Sequence, residues 1–152
     1  MVDDDRIAIP GFGLRREARE DALVVLYEIE IAGHSIEEAL SRRAIPMSDY
    51  AVGLIRGVQQ DIVCVDHILG RHLVGWSVQR LAIVDRILAR VAVWELINRH
   101  DVPTGVVLSE VVSLATRYCG SESPRFLNGV IAAVALEVRG AEVSNSNPDQ
   151  TP

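Results

Sequence analysis

The sequence contains no lysine, and all fifteen of its basic residues are arginine. Two explanations fit this bias. The planar guanidinium of arginine recognises phosphate through paired hydrogen bonds, whereas a GC-rich genome enriches arginine through codon usage alone. We favour codon usage, so the arginine bias by itself assigns no function.

Cysteine is scarce and long apolar runs are absent. The two cysteines, Cys64 and Cys119, are too few for a disulfide framework, and the opening Met1–Arg6 is acidic, unlike a signal peptide. The longest run without a charged residue, Phe126–Leu136, has eleven residues, whereas a membrane helix needs about 20. We therefore expect a soluble, cytoplasmic protein with reduced cysteines.

Positive charge is also in deficit, because 21 acidic residues outnumber the 15 basic ones and give a net charge of −6. A field of this sign does not steer the whole molecule toward nucleic acid. Any contact with RNA must be local or shared with a basic partner.

Apolar residues recur at helical spacing along the chain, and β-hairpin signals are missing. The predicted elements are a helix over about 14–32, a short helix capped by Ser35, a helix over about 51–69, a turn over 76–81, a helix over about 82–99, a helix starting near Pro103, and a last helix with Ser123 as N-cap and Pro124 at N1. The fold class is therefore all-α, a bundle of six or seven helices. Residues 1–13 are predicted to be a flexible arm and residues 140–152 a disordered tail around the folded domain, 14–139.

The sequence lacks the motifs of common enzymes, including the P-loop, the nucleophile elbow and the dinucleotide-binding glycine pattern. The histidines lack metal-ligand spacing, since His67 and His72, for example, lie five residues apart and off a common helical face. We expect no metal, no cofactor and no catalysis, because catalysis needs converging groups. Binding remains as the function class.

The start of the first helix carries a cluster of cations. At about 100° per residue, Arg15, Arg16 and Arg19 share one shoulder of the helix with Tyr27, and acidic residues occupy the other side. Arginine in a first helical turn opposes the macrodipole, which suggests a use such as clamping phosphates beside a stacking ring. Ion pairing with the neighbouring acids explains the cluster equally well.

A second cluster lies where the last two helices meet, at Tyr118, Arg125, Phe126 and Asn128. Rings beside a cation form a workable platform for single-stranded RNA. Burial of both rings in the core is the alternative, and spacing alone favours it.

Seven segments of the chain resemble the NusB family in their order and spacing. They are Arg16–Glu20, Leu26–Tyr27, Gly57–Val58 with Val65–Asp66, Val84–Arg90 running into Val93–Leu96, Asp101–Pro103, Leu108–Ala115 and Ser123–Val130. The resemblance extends over about 14–139 and implies two packed three-helix sub-bundles.

The resemblance also implies a function, which is processive transcription antitermination on ribosomal RNA operons. Members of the family pair with NusE, a small-subunit ribosomal protein, and bind boxA RNA within a complex of other Nus factors and RNA polymerase; some form homodimers. By position, the RNA-contacting residues are expected to be Arg15, Arg16, Arg19, Tyr27, Tyr118, Glu122 and Phe126, joined by Arg125 from the second cluster. The NusE-facing side is expected at Asp85 and its neighbour Arg86.

Two rival interpretations stay open. A NusB-like domain also precedes certain ribosomal RNA cytosine methyltransferases, and a detached domain of that kind would dock RNA only. Alternatively, the chain is a protein-interaction module, binding NusE or itself, that has lost strong RNA binding. Glu17, Glu20 and Asp21 thin the arginine cluster and favour the interaction module.

Overall fold

The computed structural model describes residues 12–140, and helices connected by short loops account for them. The elements are α1 (Phe12–Ala32), α2 (Ile36–Ser41), α3 (Asp49–Gln60), α4 (Ile62–Gly70), a 3₁₀ turn (Val78–Arg80), α5 (Ile83–Asn98), α6 (Thr104–Tyr118) and α7 (Ser123–Val138). No strand occurs within this part of the chain. The predicted all-α class is confirmed. Residues 12 and 13 of the predicted arm belong to α1, whereas residues 1–11 of the arm and 141–152 of the tail lie outside the described residues.

The described residues up to Gln60 form one compact unit of three helices. Helix α1 packs against α2 and α3. It ends at Gly33, whose φ of 69° lies in the left-handed region that glycine adopts readily. Ser35 then caps α2 by accepting a hydrogen bond of 3.1 Å from the Glu38 backbone N–H, so the serine half of the predicted capping box is present.

The predicted continuous helix over 51–69 is wrong, because Asp61 interrupts it and separates α3 from α4. The backbone of Asp61 has φ −101° and ψ 17°, outside the helical region. Its carboxylate accepts a hydrogen bond of 3.1 Å from the indole N–H of Trp94 on α5. A tertiary contact thus competes with helix continuation at a position where the apolar periodicity continues.

The residues from Asp61 onward form a second compact unit with four helices, one more than the resemblance implied. Helix α5 packs against α4, α6 and α7. It is buried on most sides, including all but one of the residues from Arg86 to Val93. The exception is Arg90, whose guanidinium donates two hydrogen bonds of 2.8 Å to Asp66 on α4.

Ser123 does not take the predicted position in α7. It is the first helical residue, Glu122 is the N-cap, and Pro124 falls one position later than predicted. The Ser123 hydroxyl donates to the Asp85 carboxylate at 2.8 Å and does not cap its own helix. The motif therefore places the helix start to within one residue but misassigns the cap.

Arg139, just after α7, binds the end of α5 and the loop that follows it. Its side chain is 4% exposed. The guanidinium donates to the backbone carbonyls of Glu95, Leu96, Arg99 and Val102 and to the Thr104 hydroxyl, at distances of 2.7–3.3 Å. The carbonyls of Glu95 and Arg99 also accept from the backbone N–H groups of Arg99 and Val102, whereas those of Leu96 and Val102 receive their donor from Arg139. Arg139 therefore closes the end of α5 from outside that helix.

Candidate nucleic-acid interface

In the first unit, two of the predicted arginines stack on a ring that the sequence analysis missed. The guanidinium carbons of Arg15 and Arg19 lie 5.1 and 5.7 Å from the centre of the Tyr50 ring. Tyr50 belongs to the first turn of α3. Cation–π attraction holds guanidinium groups at this distance. No local motif pairs Tyr50 with α1, because only the folded unit brings them together.

Exposure divides the α1 residues into two groups. Arg15 and Arg16 are partly exposed and Tyr27 is 42% exposed. Arg19 is 3% exposed, so a contact with RNA through this residue would be indirect, by way of the Tyr50 ring. We call Arg15, Arg16 and Tyr27 the α1 arginine surface.

The opposite flank of α1 is acidic. Glu17 and Asp21 line a cavity of about 430 Å³ that also borders Arg43 and the segment 44–48. The Nε atom of Arg43 is buried and makes no hydrogen bond within residues 12–140. Glu17 and Asp21 therefore occupy a different flank of α1 from Arg15, whereas Glu20 stands one helical turn from Arg16.

In the second unit, the predicted residues lie around the junction of α6 and α7. Tyr118 is 41% exposed, and the Arg117 guanidinium lies 5.4 Å from its ring. Glu122, Arg125 and Phe126 line a common cavity of about 720 Å³ with His72. The predicted alternative, in which both rings belong to the core, does not describe Tyr118.

The residues expected to face NusE are engaged inside the second unit. Asp85 accepts the Ser123 hydrogen bond. Arg86 is 9% exposed and donates at 3.2 Å to the backbone carbonyls of Gln79 and Leu81, so it holds the 3₁₀ turn. Burial, and then the charge of Arg90, lowers the pKa of Arg86. Asp85 is partly exposed and is the more accessible of the two.

Sequence reasoning treated residues 76–81 only as a turn, yet three of them, Trp76, Arg80 and Leu81, line a cavity with the predicted site. Trp76 and Arg80 border a cavity of about 330 Å³ together with Asp85, Glu122 and Phe126. The signal available in the sequence was an isolated tryptophan after a glycine, which specifies no partner. Only the folded chain brings Trp76 and Arg80 next to the predicted site residues.

Residues 12–140 contain neither a metal centre nor a membrane span. No group of three or more His, Cys, Asp or Glu side chains in that range is arranged to hold a metal ion. None of the helices described is long and apolar enough to cross a membrane.

Comparison with known proteins places these surfaces in a family. The model of the NusB family matches residues 16–136. A curated relative from Bifidobacterium longum subsp. infantis, "Transcription antitermination protein NusB", is 34% identical over 138 residues, which are 87% of this chain and 74% of the relative.

Solved structures agree with the sequence match. T. maritima NusB superposes with a TM-score of 0.78 at 28% identity, covering 86% of this chain and 96% of that one. A structure of the antitermination factors NusB and NusE in complex with dsRNA gives a TM-score of 0.71 at 29% identity, covering 82% and 97%. The fold and the exposed cations and rings define a helical binding protein. The chain belongs to the NusB family of transcription antitermination factors.

Proposed function

We propose that this chain binds boxA-type single-stranded RNA of nascent ribosomal transcripts jointly with NusE, and thereby promotes processive transcription of ribosomal RNA operons. The observation that carries joint binding with NusE is the likeness to a NusB solved with NusE and dsRNA, at 29% identity and a TM-score of 0.71. The exposed rings of Tyr27 and Tyr118, which suit unpaired bases, favour a single-stranded target. The activity is binding and not catalysis, in the cytoplasm, within a complex that includes other Nus factors and RNA polymerase.

The α1 arginine surface supports RNA contact in the first unit. Arg15 and Arg16 offer partly exposed guanidinium groups for phosphates, and Tyr27 offers an exposed ring for a base. Arg19 contributes through Tyr50, which it shares with Arg15. The contacts to phosphate fix the position of the strand, and the ring adds stacking.

The α6–α7 residues support contact in the second unit. Arg125 supplies a cation, Phe126 a ring and Glu122 a carboxylate at one cavity. Tyr118 adds a second exposed ring. A carboxylate accepts hydrogen bonds from base N–H groups, so this surface has the means to distinguish bases as well as to hold the strand.

A basic partner resolves the conflict between RNA binding and a net charge of −6. NusE would add positive charge to the joint surface and meet acidic residues here, with Asp85 as the accessible candidate. Arg86 would support this contact without touching NusE, because its hydrogen bonds hold the backbone of the 3₁₀ turn beside Asp85.

The test is a fluorescence anisotropy titration of labelled boxA RNA and a scrambled RNA, with and without NusE, at two salt concentrations. We expect boxA to bind more tightly than the scrambled RNA and NusE to increase the difference. Arg16→Ala, alone or with Arg19→Ala, should weaken boxA binding by roughly five- to thirtyfold, the worth of a charged hydrogen bond of about 1–2 kcal/mol.

Arg42→Ala is the matched control, because it removes one exposed positive charge from a different helix of the same unit. It should leave the affinity within about twofold. Equal loss in the two variants would indicate a general charge effect and no phosphate site on α1. Circular dichroism should show unchanged helicity in all of them.

A second candidate function is a protein-interaction module, and one surface favours it. Val24, Tyr27 and Ile31 follow each other at helical spacing along α1 and are 48%, 42% and 56% exposed. An exposed apolar stripe of this kind suits a second copy of the chain or a partner helix. Binding to NusE with no discrimination between RNAs, together with a dimer in sedimentation, would favour this function.

A further inference from the structure

The loop between α4 and α5 presents a tryptophan at the surface. Trp76 is 57% exposed, and within the described part of the chain its indole N–H makes no hydrogen bond. Gly75 precedes it with a φ of 75°, a conformation strained for any residue with a side chain. A large exposed ring at a fixed turn is costly to leave in water, which directs attention to what it would contact.

Trp76 and Phe126 separate three neighbouring cavities of the second unit. Phe126 lines both the cavity of about 720 Å³ and that of about 330 Å³. Trp76 lines the second of these and also a third, of about 510 Å³, against α4. Phe126 therefore lies between the first and second cavities, and Trp76 lies between the second and third.

Cationic and hydrogen-bonding groups line the same cavities. Arg125 borders the first, Arg80 the second and Arg71 the third, so that each has one guanidinium. Arg80 and Arg125 are exposed, whereas Arg71 is already paired with Glu137. Glu122 borders the first two cavities, where its carboxylate is available to base edges.

We propose that these three cavities form a track for single-stranded RNA, in which Trp76 and Phe126 each stack against a base and Arg80 binds the phosphate between them. The proposal rests on the proposed function and extends its site to Trp76 and Arg80. Rings alternating with base-sized spaces beside cations are the arrangement that binds single strands. A protein partner would instead be met by a continuous apolar patch depleted of charge at its centre.

Intrinsic fluorescence tests the stacking directly. The chain has two tryptophans, so a Trp94→Phe variant leaves Trp76 as the only indole reporter. Single-stranded boxA RNA should quench its emission in step with the anisotropy of the labelled RNA. The same RNA annealed to its complement should quench it far less, because its bases are already stacked and paired.

Variants of the wild-type chain test the contribution to affinity. Trp76→Ala should weaken binding of the single strand by roughly 5- to 100-fold, the range that loss of one stacked base gives, and Trp76→Phe should recover most of it. Val74→Ala is the matched control, since Val74 lies in the same loop, is 93% exposed and is absent from the lining of these cavities. Arg80→Gln should reduce the slope of log Kd against log salt by about 0.7.

The outcomes separate this inference from the proposed function. If wild-type chain discriminates boxA RNA but Trp76→Ala binds equally well and Trp76 emission is unchanged, the track is wrong and the proposed function stands. If the wild type shows no discrimination with or without NusE, the proposed function fails. If Trp76→Ala lowers affinity for labelled NusE in the absence of RNA, the surface is a protein interface and the track is overturned.

Discussion

The surroundings of the two thiols differ in a way that sets their reactivity. Cys64 is exposed on α4. Cys119 follows α6, and burial, then the hydrogen bond and charge of Asp85, raises the pKa of its thiol to about 12. The nucleophile in thiol exchange is the thiolate. Because its raised pKa keeps the partly exposed Cys119 thiol almost entirely protonated at pH 8, little thiolate is available there to react.

We predict that one thiol per folded chain reacts rapidly with dithionitrobenzoate at pH 8 and that the second reacts only after denaturation. Cys64→Ser should abolish the rapid phase, whereas Cys119→Ser should preserve it. Two rapid thiols in the wild type would contradict the raised pKa of Cys119.

The sequence was enough to select the predicted site residues by their type and position. What each side chain contacts became clear only from the folded structure. Arg15 and Tyr27 are accessible, as a binding role needs. Arg19 and Arg86 are buried, and their hydrogen-bonding and stacking partners lie on other elements. A sequence displays arginine as a cation but does not display what the guanidinium contacts.

At the scale of elements, Arg139, the residue after helix α7, binds the backbone carbonyls at the end of α5. Arg139 donates to four backbone carbonyls and a hydroxyl from a position that is 4% exposed. Its removal would take this donor from the buried carbonyls of Leu96 and Val102, each at a cost of about 1–3 kcal/mol. Lysine cannot replace it, because an ammonium lacks the planar fork that spans these acceptors.

We predict that Arg139→Ala lowers the free energy of unfolding by about 3–5 kcal/mol and that Arg139→Lys recovers less than half of the loss. Urea unfolding followed by circular dichroism measures both. Arg117→Ala, which removes an exposed arginine near the end of α6, is the control and should change stability by less than about 1 kcal/mol. A similar loss in the two variants would contradict the closing role of Arg139.

The elements also show what periodicity predicts and what it misses. Among residues 12–140, apolar spacing located the long helices α1, α5, α6 and α7 and merged α3 with α4, because each buries one face or more. It passed over Asp61, since a single non-helical residue leaves the apolar spacing intact, and the side-chain partner of Asp61, the indole of Trp94, lies 33 residues away. Ser123 was misassigned as a cap because its partner, Asp85, lies on another helix.

For the molecule as a whole, stability in acid depends on ion pairs between residues far apart in the chain. Glu137 on α7 accepts two hydrogen bonds from Arg71, 66 residues earlier, and contacts His72. The hydrogen bond from Arg71, assisted by His72 and by both charges, lowers the pKa of Glu137. Because the pKa is lower in the folded state, the pair stabilises the fold above the ordinary glutamate pKa of about 4.3.

We predict that Glu137→Gln lowers the melting temperature at pH 7 and that the difference from the wild type disappears as the pH falls through the lowered pKa of Glu137. Calorimetric scans from pH 7 to pH 3 measure this. A difference that persists at pH 3 would mean that Glu137 stabilises by packing and not by charge.

The net charge of −6, which composition alone determines, is enough to indicate that any RNA contact is either local or shared with a basic partner. The track beside Trp76 was beyond such reasoning, because its walls come from α4, the following loop, α5 and α7. Overall charge is a property of composition, whereas a cavity is a property of segments brought together from distant positions.

The closure of α5 by Arg139 has a consequence for synthesis of the chain. The acceptors of Arg139 lie between 35 and 44 residues earlier, so they leave the ribosome first and remain without this donor. Translation proceeds at about 5–20 residues per second, which leaves this helix end open to solvent and proteases for seconds. The second unit therefore reaches its final order late, when the residue after its last helix emerges.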